Sequence, residues 1–148
     1  ANGNYNVAYG AENKNINPPI KEIKEVSKIL NEKNVIFTNL DFLEVMDMAV
    51  EGDMIYADPP YVPLTVSAHT NYTGVGFGMV EQTKLRDKAL ELREKGIKTI
   101  ISNNSTPITQ ELYKDANNIL EVELYRPISG KGDMRTKAME IIAIYGEK

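Results

Sequence analysis

Met54-Ile55-Tyr56-Ala57-Asp58-Pro59-Pro60-Tyr61 joins a short apolar run to an acid, two prolines and an aromatic ring. The run from Met54 to Ala57 reads as a buried parallel strand. Proline lacks an N–H and has a fixed φ, so two in succession end a central strand. The chain therefore turns beyond the strand's carboxyl end, where open α/β sheets bind ligands. Asp58 offers a carboxylate there, the Asp58 and Pro59 carbonyls are free of a ladder, and Tyr61 offers a flat face. Together they suit a planar amine, with acceptors for its two N–H groups and a ring to stack on. A strand followed by a rigid turn with an N-capping Asp accounts for the same residues equally well.

Working outward, Val35-Ile36-Phe37-Thr38-Asn39-Leu40 is β-branched and apolar and predicts a second strand. It runs into Asp41-Phe42 and a short helix, Leu43 to Val50. An acid and a ring at a strand end suit a ligand, but Asp41 is also a ready N-cap, and local residues favour the cap. Before it, Ile20, Ile23, Val26, Ile29 and Leu30 recur at helical spacing from Pro19 to Lys33. Ala1 to Pro19, with six asparagines, has no sustained periodicity and reads as a polar leader.

Downstream of Tyr61, Val62 to Met79 is a long polar segment carrying Tyr72 and Phe77 as aromatic anchors. Val80 to Lys95 is amphipathic, with Gly96 as its C-cap. Ile97 to Ser102 predicts a strand ending in Asn103-Asn104-Ser105. Thr106-Pro107 opens a helix over Ile108 to Asp115. Ile119 to Tyr125 predicts a half-solvated strand, and Met139 to Tyr145 a buried one. Between them, Arg126, Lys131, Arg135 and Lys137 oppose only Asp133. That loop is either a phosphate-binding patch or a solvated turn. Alternating strands and helices imply an α/β fold, Rossmann-like and mostly parallel, with helices on both faces. A short connection into the last strand implies one antiparallel strand, at an edge.

Composition narrows the function classes. With 148 residues the chain makes one domain, and no cysteine means no disulfide or thiolate metal site. His69 is the only histidine, so neither a zinc site nor a Ser-His-Asp triad is expected, and no residue is assigned to a metal. The net charge of −4 argues against a generally basic nucleic-acid coat but not against a local patch. No stretch reaches the length of a membrane span. The start at Ala1 instead of Met points to a processed or truncated chain.

These motifs, in this order, resemble the C-terminal half of the Dam-like, D12-class adenine-N6 DNA methyltransferases. Tyr5-Asn6-Val7-Ala8-Tyr9-Gly10 resembles the family's FNVPFG segment, and Asp58-Pro59-Pro60-Tyr61 its DPPY motif. Pro63-Leu64-Thr65 resembles PLS, and Thr70-Asn71-Tyr72 through Phe77 a loop beside DNA. Ile101-Ser102-Asn103-Asn104 resembles the ISN strand end. Ser129 to Lys137 with Glu140 resembles the ending S-x-x-G-x-x-R-x-K-x-x-E. The chain departs from the pattern at Ala8 and His69. It carries no glycine-rich cofactor motif on a first strand, since Gly74-Val75-Gly76-Phe77-Gly78 follows the DPPY motif and no strand.

The resemblance implies residues 1–19 as a remnant of the DNA-recognition domain and 20–148 as the C-terminal half of the catalytic domain. It implies methyl transfer from S-adenosylmethionine to a flipped-out adenine amino group in double-stranded DNA, at a GATC-like site. Asp58, Pro59, Pro60 and Tyr61 would be catalytic, and Asp41, Phe42 and Asp58 would meet the cofactor. Tyr72, Arg126, Lys131, Arg135 and Lys137 would meet DNA. The setting would be the cytoplasm of a bacterial, archaeal or phage-encoded system. Alternatives are a non-catalytic nucleic-acid-binding fragment, or transfer to a planar amine of RNA or a protein glutamine. In the family's sheet, two strands that this chain lacks lie between the Val35–Leu40 and Met54–Ala57 strands. The expectations that follow are a missing N-terminal half, an exposed sheet edge able to form a dimer, and catalytic silence of the isolated chain.

Overall fold

The structure, a computed structural model, describes residues 18–63, 76–125 and 137–146. Two compact units divide between Asn39 and Leu40. In the first, α1 spans Ile20–Glu32, as its helical spacing predicts. Asn34, at φ 53°, ends it in the left-handed conformation that asparagine tolerates. Ile23, Val26 and Leu30 form one wall of an open groove, with Val35 and Phe37 on the other.

The strand expected over Val35–Leu40 is not formed; residues 35–39 have no regular secondary structure and join no sheet. β-branched composition supplies propensity, but a strand is held by a neighbour's N–H and C=O groups. Among the described residues no strand pairs with this one, and Ile36 and Phe37 are 84% and 78% exposed.

The second unit carries α2 (Phe42–Asp47), β1 (Met54–Ala57), α3 (Met79–Glu94), β2 (Lys98–Asn104), α4 (Pro107–Leu112), β3 (Asn118–Tyr125) and β4 (Lys137–Tyr145). Asp41 caps α2 by accepting from the Leu43 N–H at 2.9 Å, while Glu44 reaches back to the Asp41 N–H at 3.1 Å. This helix ends earlier than its sequence suggests, because Asp53 Oδ2 takes the Val50 N–H at 2.9 Å and Gly52 turns the chain at φ 95°. Thr106 caps α4 with Pro107 at its first turn.

The sheet order is β1-β2-β4-β3. β1 runs parallel to β2 from Met54↔Lys98 to Ala57↔Ile101. β4 is antiparallel to both β2 and β3, so it alone runs in reverse. The α/β expectation with a single reversed strand is borne out, but that strand sits inside the sheet instead of at its edge. The β3–β4 fold-back places it there, between its partner and β2.

Odd-numbered residues of β2 and β4 face the core. Ile101, Ile141, Ala143 and Tyr145 pack with Met46 of α2, Leu85, Ala89 and Leu92 of α3, Leu112 of α4 and Tyr113, which follows it. Truncating any of the larger ones to Ala costs about 2–5 kcal/mol in such a core. Thr99 Oγ1 and Tyr145 Oη, opposite one another in the register, are buried without a hydrogen-bond partner among the described residues. Gly146 closes β4 at φ +105°, where an added Cβ would meet Lys98 Cα at 3.0 Å. Only glycine fits there.

β1 is not the buried central strand its apolar run suggests. Among the described residues it lies at the sheet's edge, with Met54 66% and Tyr56 63% exposed, and only its Ile55 and Ala57 pack toward the core. Periodicity read the strand correctly, but burial depends on neighbours that a run of four residues does not specify. Among the described residues no helix is long and apolar enough to cross a membrane.

Candidate active site

The ladder between β1 and β2 stops at Ala57↔Ile101, and Asp58-Pro59-Pro60-Tyr61 leaves the sheet at its carboxyl end. Neither proline has an N–H to give, so side chains must hold this turn. They do so from the core side. Gln82 Nε2 of α3 donates to the Pro60 carbonyl at 2.7 Å. Asn103 Oδ1 accepts the Val62 N–H at 2.8 Å, and Asn104 Nδ2 donates to the Val62 carbonyl at 2.6 Å.

Asn103 is buried and uses its full hydrogen-bonding capacity. Oδ1 also accepts the Asn104 N–H at 2.9 Å. Nδ2 donates to Gln82 Oε1 at 3.1 Å and to Tyr113 Oη at 3.0 Å. Tyr113 Oη in turn donates to Gln82 Oε1 at 3.2 Å. A fully paired buried network fixes one geometry, since any shift would leave a group unpaired at about 1–3 kcal/mol. The turn after β1 is therefore preset by three elements it does not belong to.

The opposite, even-numbered side of the same strand ends carries a second set of hydrogen-bonded groups. Ser102 Oγ donates to Asp58 Oδ1 at 2.9 Å. Tyr56 Oη donates to Ser102 Oγ at 3.2 Å. Tyr61, half-buried, donates its hydroxyl to Glu140 Oε2 of β4 at 3.2 Å. Burial, chiefly, pushes the Tyr61 phenol up to about 12; the Ser102 hydroxyl acts the other way, and the Asp58 and Glu140 charges add to the rise. Tyr61 is thus a neutral ring and a hydrogen-bond donor at any ordinary pH. Among the described residues, neither Asp58 Oδ2 nor the Pro59 carbonyl has a hydrogen-bond partner.

The site therefore presents two free acceptors beside a ring whose tilt is pinned at its hydroxyl. This suits a planar donor with two N–H groups, and no described residue among them is a strong acid or nucleophile. Among the described residues no group of three His, Cys, Asp or Glu side chains could hold a metal ion.

The D12 class N6 adenine-specific DNA methyltransferase family model matches residues 1–128. The chain belongs to this family. Within it, the chain is 39% identical over 142 residues to a type II methyltransferase of Lactococcus lactis subsp. cremoris, covering 93% of this chain and 49% of that one. It is 36% identical over 118 residues to a DNA adenine methylase of Haemophilus influenzae, 78% and 41% of the two chains. The DNA adenine methylase of Escherichia coli is 32% identical over 144 residues, 97% and 50%. The chain spans about half the length of these curated relatives.

Of the residues singled out from sequence, Asp58, Pro59, Pro60 and Tyr61 come together as one turn. Asp41 and Phe42 stand at the start of α2, where Asp41 spends Oδ1 on its cap and Phe42 meets Phe77 in a tilted contact, rings at 59° and centroids 5.5 Å apart. Tyr72, Arg126, Lys131 and Arg135 lie outside the described residues, as do residues 5–10; Lys137 opens β4, its side chain outside the description. Ser102, Asn103 and Glu140 were quoted only as parts of motifs. Gln82 and Tyr113 were missed. The available signal was a polar side chain in an inward stripe, since Gln82 falls in register with Leu85, Ala89 and Leu92.

Proposed function

We propose that this chain carries the methyl-acceptor side of an adenine-N6 DNA methyltransferase site. The observation that carries it is the turn after β1, with Asp58 Oδ2 and the Pro59 carbonyl uncommitted among the described residues and the backbone held by Gln82, Asn103 and Asn104. Adenine's exocyclic nitrogen is a poor nucleophile because its lone pair is delocalised into the ring. Asp58 and the Pro59 carbonyl accept its two hydrogens and favour a localised lone pair. Tyr61 supplies the stacking face for the base, which a duplex must release by flipping. Such stacking is worth about 1–3 kcal/mol per base in single-strand binders. Orientation contributes the larger share of the rate, and Asp58 need not be a strong base.

S-adenosylmethionine, when bound, supplies an electrophilic methyl group. The residues of this chain fit one end of it: Phe42, backed by Phe77, offers a ring, and Asp41 a carboxylate with one oxygen beyond its cap. Asp58 would face its methyl-donating end. Duplex DNA with a GATC-like site is the proposed substrate, and the proposed setting is the cytoplasm, for a bacterial, archaeal or phage-encoded protein. Tyr72, Arg126, Lys131, Arg135 and Lys137 are its proposed contacts, the basic ones through phosphates. The open edge of β1 is covered by further strands of a longer protein or by a second copy.

The test is methyl transfer from labelled cofactor to duplexes that do or do not hold GATC, using the full-length protein. Asp58→Ala should lose transfer by at least about a thousandfold while its unfolding transition is kept, and Tyr61→Ala should lose less. Turnover by Asp58→Ala equal to the wild type would end the assignment.

A further inference from the structure

We infer that Ser102 is a positioning residue of the methyl-transfer site: its hydroxyl, aimed by Tyr56, commits one oxygen of Asp58 and presents the other to the amine. The inference rests on the activity proposed above and assigns roles to two residues of the sheet. An aspartate's terminal torsion is broad and close to two-fold, so its carboxylate is not held by rotamer preference alone. Pro59 restrains the Asp58 backbone but not that torsion. Something must select which oxygen faces the substrate.

Ser102 has one proton and three nearby acceptors. Asp58 Oδ1 is at 2.9 Å, the Ala57 carbonyl at 3.4 Å, and the Tyr61 hydroxyl stands beside it. The charged acceptor is both the nearest and the strongest, since bonds to an ionised group are roughly twice as strong as neutral ones. Tyr56 decides the orientation further. By donating to Ser102 Oγ at 3.2 Å it fills a lone pair, which leaves the serine proton directed away from Tyr56 and toward Asp58. Ser102 is 3% exposed, so water competes little for this bond. A serine kept merely to satisfy a buried hydroxyl would be content with the Ala57 carbonyl and would need no tyrosine.

The test uses the full-length protein with saturating and limiting DNA and cofactor. Ser102→Ala is expected to lower kcat by about tenfold to a hundredfold, with KM for both substrates within about twofold of wild type. Ser102→Thr, which keeps the hydroxyl, should recover most of that loss. Tyr56→Phe removes a single oxygen from an exposed ring, so the fold is not at risk, and kcat should fall by a few-fold with KM unchanged. Ser102→Ala at wild-type kcat, or a loss confined to KM, overturns the inference. If Ser102→Ala lowers Tm sharply, Tyr56→Phe decides: an unchanged kcat overturns it and a lowered kcat at constant KM supports it. A wild-type protein that transfers no methyl group removes the activity reading and this inference together. An active wild type with an indifferent Ser102 removes this inference alone.

Discussion

Tyr61 holds its hydroxyl 3.2 Å from Glu140 Oε2 in a half-buried setting, and its phenol is raised from 10.0 to about 12, burial being the main cause. The folded state therefore keeps this proton at a pH where the unfolded chain releases it. The resulting stabilisation is complete below pH 10 and is lost as pH rises through about 12. Tyr113 and Tyr145, raised chiefly by their own burial, act in the same direction. Urea unfolding should give a stability that falls across this alkaline window, and Tyr61→Phe should flatten part of the fall. An identical pH slope in Tyr61→Phe and wild type would show that Tyr61 is not shielded as described. At this scale the sequence exposed Asp58 and Tyr61 because a DPPY turn limits what the backbone can do. It concealed Gln82 and Tyr113, because a buried polar side chain declares a need for partners without naming them. Gln82 meets Pro60 across 22 positions and Tyr113 across 31, and only the fold closes those distances.

Asp41 and the first turn of α2 bring two readings onto one side chain. The carboxylate caps a helix of six residues through the Leu43 N–H, and Glu44 completes the capping box. The same acid is proposed to meet the cofactor's adenine end. The two roles separate by substitution. Asp41→Ala should cost about 1 kcal/mol of stability, the usual worth of an N-cap, whereas Asp41→Asn should keep nearly all of it. If the charge also serves the cofactor, Asp41→Asn in the full-length protein raises the cofactor KM at unchanged Tm. A KM unmoved in Asp41→Asn would leave the cap as the whole explanation of this residue. Elements with internal signals were legible in this way: periodicity marked α1 and α3, Thr106-Pro107 marked α4, and Asp41 as an N-cap marked α2. The segment over residues 35–39 was misread because a strand is a relation between two chains of hydrogen bonds, and its own residues specify only one of them.

The sheet as a whole, among the described residues, ends on the strand from which the Asp58-Pro59-Pro60-Tyr61 turn leaves. β1 pairs with β2 on one side, and among the described residues its other edge meets no strand. The apolar run could not disclose this by itself, since four such residues read alike at a centre and at an edge; the expectation of an open edge came from the two strands of the family's sheet that this chain lacks. Met54 and Tyr56 stand open beside that edge, and Ile100, Ile142 and Ile144 on the same even-numbered face are only half-buried. An unpaired, apolar edge of this kind is a template for another strand, and natural edges are blunted by lysine or proline, which β1 lacks. The 148-residue chain on its own should therefore self-associate reversibly, with two β1 edges meeting about a two-fold axis as an antiparallel pair. Met54→Lys places a charge at the edge of a residue already 66% exposed, so it should leave the core intact while shifting the chain toward monomer. Sedimentation over a range of protein concentrations reads both effects. A constant monomer mass for the wild-type chain, or association in Met54→Lys equal to wild type, would show that some other element covers the edge. Pairing of this sort also leaves the turn after β1 intact but supplies no further wall for the cofactor. The same preparation should then bind S-adenosylmethionine weakly or not at all, whichever oligomer it forms, and tight stoichiometric binding in calorimetry would mean that Asp41, Phe42 and Asp58 hold far more of it than one end.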